Sequence, residues 1–72
     1  MPGDDAIEIA GVVRAVMPAG RYRVELQNGH QLVARVPRRS QSALVGIRPG
    51  SRLQLSLCPS DMSQGLVVEV LN

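Results

Sequence analysis

The reactive chemistry available to this chain lies almost entirely in its arginines. All eight basic residues are arginine, set against six acidic residues for a formal net charge of +2. A guanidinium presents a planar fork of donors that suits phosphate oxygens and base edges, and it stacks on nucleobases. Arg21, Arg23, Arg35, Arg38 and Arg39 fall within one short stretch, and Arg52 follows a Pro-Gly turn. A GC-rich genome also replaces lysine by arginine, but that does not explain where the arginines fall. The chain has one histidine, His30, and one cysteine, Cys58. A single cysteine makes no internal disulfide, and together the two fall short of the usual set of about four zinc ligands. Nothing stands ready to partner His30 as a nucleophile or base. Asp61, after Pro59, reads as a turn former, and Cys58 as a small core or loop residue with no activating neighbour. The expectation is a protein without enzymatic activity, metal or cofactor.

The elements that must carry these residues are short. The 72-residue chain is long enough for one domain. With no Phe or Trp and a single Tyr, its core must be aliphatic. A polar start, MPGDD, reads as a frayed N-terminus over residues 1–5, leaving 6–72 as the domain. AIEIAGVVRAVM reads as a long strand with Ile7, Ile9, Gly11, Val13, Ala15 and Met17 on one face and Glu8 and Arg14 on the other. Gly11 in mid-strand predicts a sharp bend, as where one strand serves two sides of a barrel. RYRVEL and QLVARV alternate cleanly: Tyr22, Val24, Leu26, Leu32, Ala34 and Val36 are apolar, against Arg21, Arg23, Glu25 and Arg35. Pro37 stops the third strand, and Ser40 is placed to cap one helical turn through Leu44. RLQLSL is a fourth strand, CPSDMSQG reads as a loop, and LVVEVL is a fifth strand too continuously apolar to assign a face.

Between the second and third strands stands LQNGHQL. A two-residue Asn28-Gly29 loop would force Arg35 onto the apolar face, because directly paired residues share a face. A three-residue loop, Gln27-Asn28-Gly29, pairs Leu26 with His30, Val24 with Leu32 and Tyr22 with Ala34, and every apolar residue then agrees. The spacing predicts a type I turn with Gly29 left-handed and a bulge. Five short strands with a brief helical turn between the third and fourth predict an all-β OB-fold barrel. A small SH3-type barrel is the alternative, disfavoured by the long first strand.

IEIAGVV, YRVELQNGH, ARV, RPGSRL and LCPSDMSQG together resemble bacterial translation initiation factor 1 over nearly the whole chain, with YRVELQNGH the most specific block. The resemblance implies an OB-fold protein without chemistry of its own. It implies binding at the aminoacyl-tRNA site of the small ribosomal subunit. The implied partners are ribosomal RNA, a neighbouring ribosomal protein and the other initiation factors. Arg23 and His30 match the family motif, and an RNA-contacting role is carried over to both. Arg39 matches a loop lysine in charge, Arg52 a basic position after the turn, and Arg38 is an added charge. The chain departs from the pattern elsewhere. The basic loop is reduced to Arg38 and Arg39, Ser60 replaces a tyrosine, Leu66 replaces an arginine, and the tail EVLN is not basic.

Arg21, Arg23 and Arg35 project from the outer face of the second and third strands, with Arg38 and Arg39 just beyond. Such a strip is the electrostatic footprint of an RNA binder. A solvated strand face partly neutralised by Glu25 is the plainer reading of the same residues. His30 has an alternative role too, in satisfying backbone groups of the turn. The lone aromatic, Tyr22, lies on the core face, so a base-stacking platform of the single-strand binders is not expected. Recognition would rest on the shape and phosphates of folded RNA. No signal peptide or long apolar run is visible, so a cytoplasmic monomer away from membranes is expected.

Overall fold

The computed structural model describes residues 6–41 and 45–71. The predicted frayed N-terminus, residues 1–5, lies outside the described residues. Five strands form the domain: β1 (Ile7–Met17), β2 (Arg21–Leu26), β3 (Gln31–Arg35), β4 (Arg52–Cys58) and β5 (Asp61–Val70). They close into a barrel in the order β1-β2-β3-β5-β4, with β4 returning to β1. All pairings are antiparallel except β3 with β5, which closes the barrel in parallel through Val33–Gln64, Ala34–Gly65 and Arg35–Leu66. This arrangement is consistent with the OB-fold. Among the described residues no helix is long and apolar enough to cross a membrane.

Alternation places the core. Val24 and Leu26 from β2, Leu32 and Ala34 from β3, and Leu53, Leu55 and Leu57 from β4 are buried with Val13, Val36 and Val67. Tyr22 packs against this aliphatic cluster from a half-buried position. Gly11 sits where β1 belongs to two ladders at once, opposite Leu26 on one side and Leu53 on the other. A Cβ there would lie 2.5 Å from Val24 Cγ1, so the close crossing requires glycine.

Three expectations need correction. The shared face of β1 holds only as far as Val13. A bulge at Arg14 shifts the register, so Val16 opposes Tyr22 while Ala15 and Met17 oppose Arg23 and Arg21, although Val16 is exposed and Ala15 and Met17 are half-buried. An extra residue in one strand shifts the pairing beyond it. The helical turn is a 3-10 turn over Arg38–Ser40, following Pro37 rather than starting at Ser40, and Ser40 donates its N–H to the Pro37 carbonyl at 2.9 Å. Residues 42–44 of the predicted turn lie outside the described residues. The expected loop from Cys58 to Gly65 is instead a tight turn at Pro59-Ser60 followed at once by β5. Its polar residues become strand because Gln64 and Gly65 are paired to β3, a contact remote in sequence.

The β2–β3 hairpin has the predicted three-residue loop. Tyr22 pairs with Ala34 and Val24 with Leu32. The Leu26 N–H donates to the His30 carbonyl at 2.8 Å, the Gly29 N–H returns to the Leu26 carbonyl at 2.9 Å, and Gly29 has φ of 88°.

Candidate nucleic-acid interface

The outer face of the β2–β3 hairpin carries Arg21, Arg23 and Arg35, all exposed. Arg21 stands directly opposite Arg35, and Arg23 opposite the half-buried Val33. Alternation puts all three outward because Tyr22, Val24 and Ala34 point inward. Arg38 and Arg39, also outside the core, follow β3 after only Val36 and Pro37, within the 3-10 turn. Of the residues predicted to form the site, the structure places Arg21, Arg23 and Arg35 on one strand face, with Arg38 and Arg39 exposed in the turn that follows β3. Among the described residues the single ion pair joins Arg14 Nε to Glu25 Oε1 at 2.9 Å; Glu25 shares the outer face of β2 with Arg23, but none of these five arginines is itself paired with an acid.

Arg52 is separated from that strip. It opens β4 opposite Val12, and Val12 in turn opposes Glu25. There it shares a shallow cleft of about 420 Å³ with Arg14, Glu25 and Gln27. This face holds two arginines around one carboxylate, so Arg14 is compensated and Arg52 is not. Arg14 is the residue that sequence reasoning passed over. Alternation sets it on the face opposite Val13, where it is exposed, but nothing in the sequence shows that the bulge presents it to Glu25.

His30 takes a structural position. Its N–H donates to Asn28 Oδ1 at 3.0 Å, closing the turn. Its ring Nε2 lies 2.9 Å from the Met62 carbonyl, which can only accept, so Nε2 carries the proton. The ring thereby ties the β2–β3 turn to the start of β5. The residue remains exposed, on the hairpin that carries Arg23.

The β4–β5 turn differs in character. Cys58, expected without an activating neighbour, is exposed, and its Sγ lies 3.0 Å from Ser60 Oγ. That hydrogen bond pulls the thiol below its usual range. Asp61 behaves as the turn former expected of it. Its Oδ1 accepts from the Ser63 backbone N–H at 3.1 Å and from the Ser63 hydroxyl, and the two bonds hold its carboxyl below the ordinary range. Beyond the turn, Leu66 and Val68 point outward and are 42% and 47% exposed. Among the described residues no group of three His, Cys, Asp or Glu is placed to hold a metal ion.

A five-stranded barrel with a basic β2–β3 face defines a small OB-type domain. The TOBE domain family model matches residues 2–63, and the chain belongs to that family. Among solved structures it is similar to the translation initiation factor 1 of the Wolbachia endosymbiont strain TRS of Brugia malayi. The identity is 26%, the match covers 94% of this chain and 80% of that one, and the TM-score is 0.75. It is also similar in fold to YjeQ from Thermotoga maritima, at 18% identity with a TM-score of 0.69, covering 92% of this chain and 23% of YjeQ.

Proposed function

We propose that this protein is an RNA-binding OB barrel of translation initiation. It occupies the aminoacyl-tRNA site of the small ribosomal subunit and disfavours premature tRNA binding there. The observation that carries the reading is the unneutralised arginine face of β2–β3, on a barrel similar to an initiation factor over most of both chains. Folded RNA presents phosphates at fixed spacing, and a rigid strand face bearing arginines engages them by charge and shape without base stacking. Arg21, Arg23, Arg35, Arg38 and Arg39 are the proposed contacts. Arg52 is a secondary one, reached only if the RNA extends over β1. His30 holds the turn that presents Arg23, and its exposure allows a contact as well. The mechanism is occupancy, with no chemical step. The partners are ribosomal RNA, a neighbouring ribosomal protein and the other initiation factors, in the cytoplasm, with the protein acting as a monomer.

A second reading has its own observation. Leu66 stands where the initiation factor 1 pattern has an arginine and, with Val68, leaves apolar side chains exposed on β5. A barrel that had exchanged its RNA role for protein interaction would carry such a surface. Co-sedimentation with purified bacterial small subunits at low and high salt, with authentic initiation factor 1 as competitor, separates the two. Salt-sensitive binding displaced by the competitor is the expected result. No binding at low salt overturns the ribosomal reading in favour of the protein-interaction module.

A further inference from the structure

We propose that Arg21 and Arg35 act as one unit, a two-guanidinium clamp for a single phosphate group of an RNA backbone. The proposal rests on the RNA-binding reading above and specifies how its central contact is made. The hairpin register carries it. The Leu26 N–H to His30 carbonyl bond marks that pair as a hydrogen-bonded position. Hydrogen-bonded and non-hydrogen-bonded pairs alternate along an antiparallel ladder. Counted in twos from there, Val24–Leu32 and Tyr22–Ala34 are hydrogen-bonded, so Glu25–Gln31, Arg23–Val33 and Arg21–Arg35 are the other kind. In that kind the Cα atoms approach to ~4.5 Å and the side chains stand closest.

Two arginines therefore share the tightest type of cross-strand site, where like charges destabilise the sheet. Among the described residues neither is paired with an acid. The cross-strand row continues from Arg35 to Leu66 and then Ser56 before it meets a carboxylate at Glu8 on β1. Arg21 Nε donates to the Pro18 carbonyl at 3.3 Å, and among the described residues its terminal nitrogens have no hydrogen-bond partner. A phosphate placed between the two forks receives charge-assisted hydrogen bonds from both and cancels their repulsion. Arg23, on the same face one pair further along, lies within reach of the next phosphate.

The test follows the arginine Nε–H resonances of the full chain by NMR during titration with inorganic pyrophosphate, and separately with an RNA octamer of uridine. Arg21 and Arg35 should move on one common isotherm. Arg21→Gln should weaken the isotherm read at Arg35 by roughly tenfold, and the double variant R21Q/R35Q should bind no more weakly than either single one. Without ligand, R21Q should melt higher than the parent, with the gain fading in high salt. Separate isotherms, or an Arg35 response unchanged by R21Q, would overturn the clamp. Half-saturation at a lower phosphate concentration with the octamer than with pyrophosphate assigns the site to an RNA backbone, and the reverse order overturns that assignment. The ribosomal reading fails separately. Coupled pyrophosphate binding in a protein that does not co-sediment leaves the clamp standing, whereas R21Q that co-sediments with unchanged salt dependence removes the clamp alone.

Discussion

The β2–β3 hairpin keeps one apolar and one outer face along its whole length, the outer one carrying Arg21, Arg23 and Arg35 beside Glu25, whereas the β4–β5 hairpin changes character midway. In the first, strands of six and five residues pair without interruption around a three-residue loop. In the second, register shifts occur on both sides of the pairing, between Gln54 and Leu55 and between Leu57 and Cys58. The first hairpin is a uniform platform whose outer face is free to carry charge. The second is bent to close the barrel: β5 must leave the turn, pair with β3 through Gly65, and continue along β4. Its outer face is consequently a mixture of Ser63, Gln64, Leu66 and Val68, with no repeating chemistry. A regular strand pair can display a charge array, while a strand that closes a barrel is shaped mainly by packing.

The sharpest way to break that contrast is to insert a methyl group where β5 crosses the core. In Gly65→Ala the new Cβ would collide with the buried Leu57 Cδ2 and lie 3.4 Å from the Ser56 carbonyl. Overpacking of this kind costs about 2 kcal/mol, which lowers the melting temperature of a domain this size by roughly 10 °C. A thermal melt within a degree or two of the parent would show that β5 is not constrained as described.

On the other hairpin the largest effect should be on binding. Arg38→Ala combined with Arg39→Ala should weaken association with small subunits and flatten its salt dependence. Each lost phosphate contact removes about 0.7–0.9 from the slope of log affinity against log salt. An unchanged slope would remove these two residues from the interface and confine it to the strands.

Gly29→Ala tests the platform's turn. No atom lies within 4 Å of a Cβ at that position, so the only cost is the left-handed backbone at φ of 88°. The variant should lose about 1 kcal/mol in urea unfolding, less than Gly65→Ala. A neutral result would contradict the bulged loop.

The smallest effect belongs to the β4–β5 turn. The Asp61 carboxyl is held below its usual range by Ser63. A depressed carboxylate stabilises the folded state at pH values above its unfolded pKa, and that contribution disappears as pH falls through the lowered folded value. Asp61→Asn should therefore melt slightly below the parent at neutral pH, and the gap should close below about pH 4. A gap that persists in acid would assign the effect to something other than the charge.

The arginine face was legible in the sequence because a period-two pattern and a constrained turn together settle register. Only the three-residue loop lets Tyr22, Val24, Leu32 and Ala34 share a face, and that leaves Arg21, Arg23 and Arg35 on the other. The outward side of Arg14 was legible from alternation, but its pairing with Glu25 was not, because a bulge has no signature in an apolar run. Nor was the position of Arg52. Its distance from the strip depends on where β4 docks, and β4 docks on β1 rather than beside β3.

Local alternation and turn chemistry, acting over a few residues, determined the strands β1 to β4, the aliphatic core, the Gln27-Asn28-Gly29 loop and the face on which the hairpin arginines stand. Contacts between residues far apart in the chain decided the rest. Gln64 and Gly65 became strand because β3 offered them unpaired backbone groups. His30 became a tie to β5 because the Met62 carbonyl came within 2.9 Å of its ring. The register of β1 against β2 shifted at Arg14, just past the last residue β1 pairs with β4. Backbone hydrogen bonds between distant segments carry no local residue pattern, so closure of the barrel settled what composition and periodicity could not.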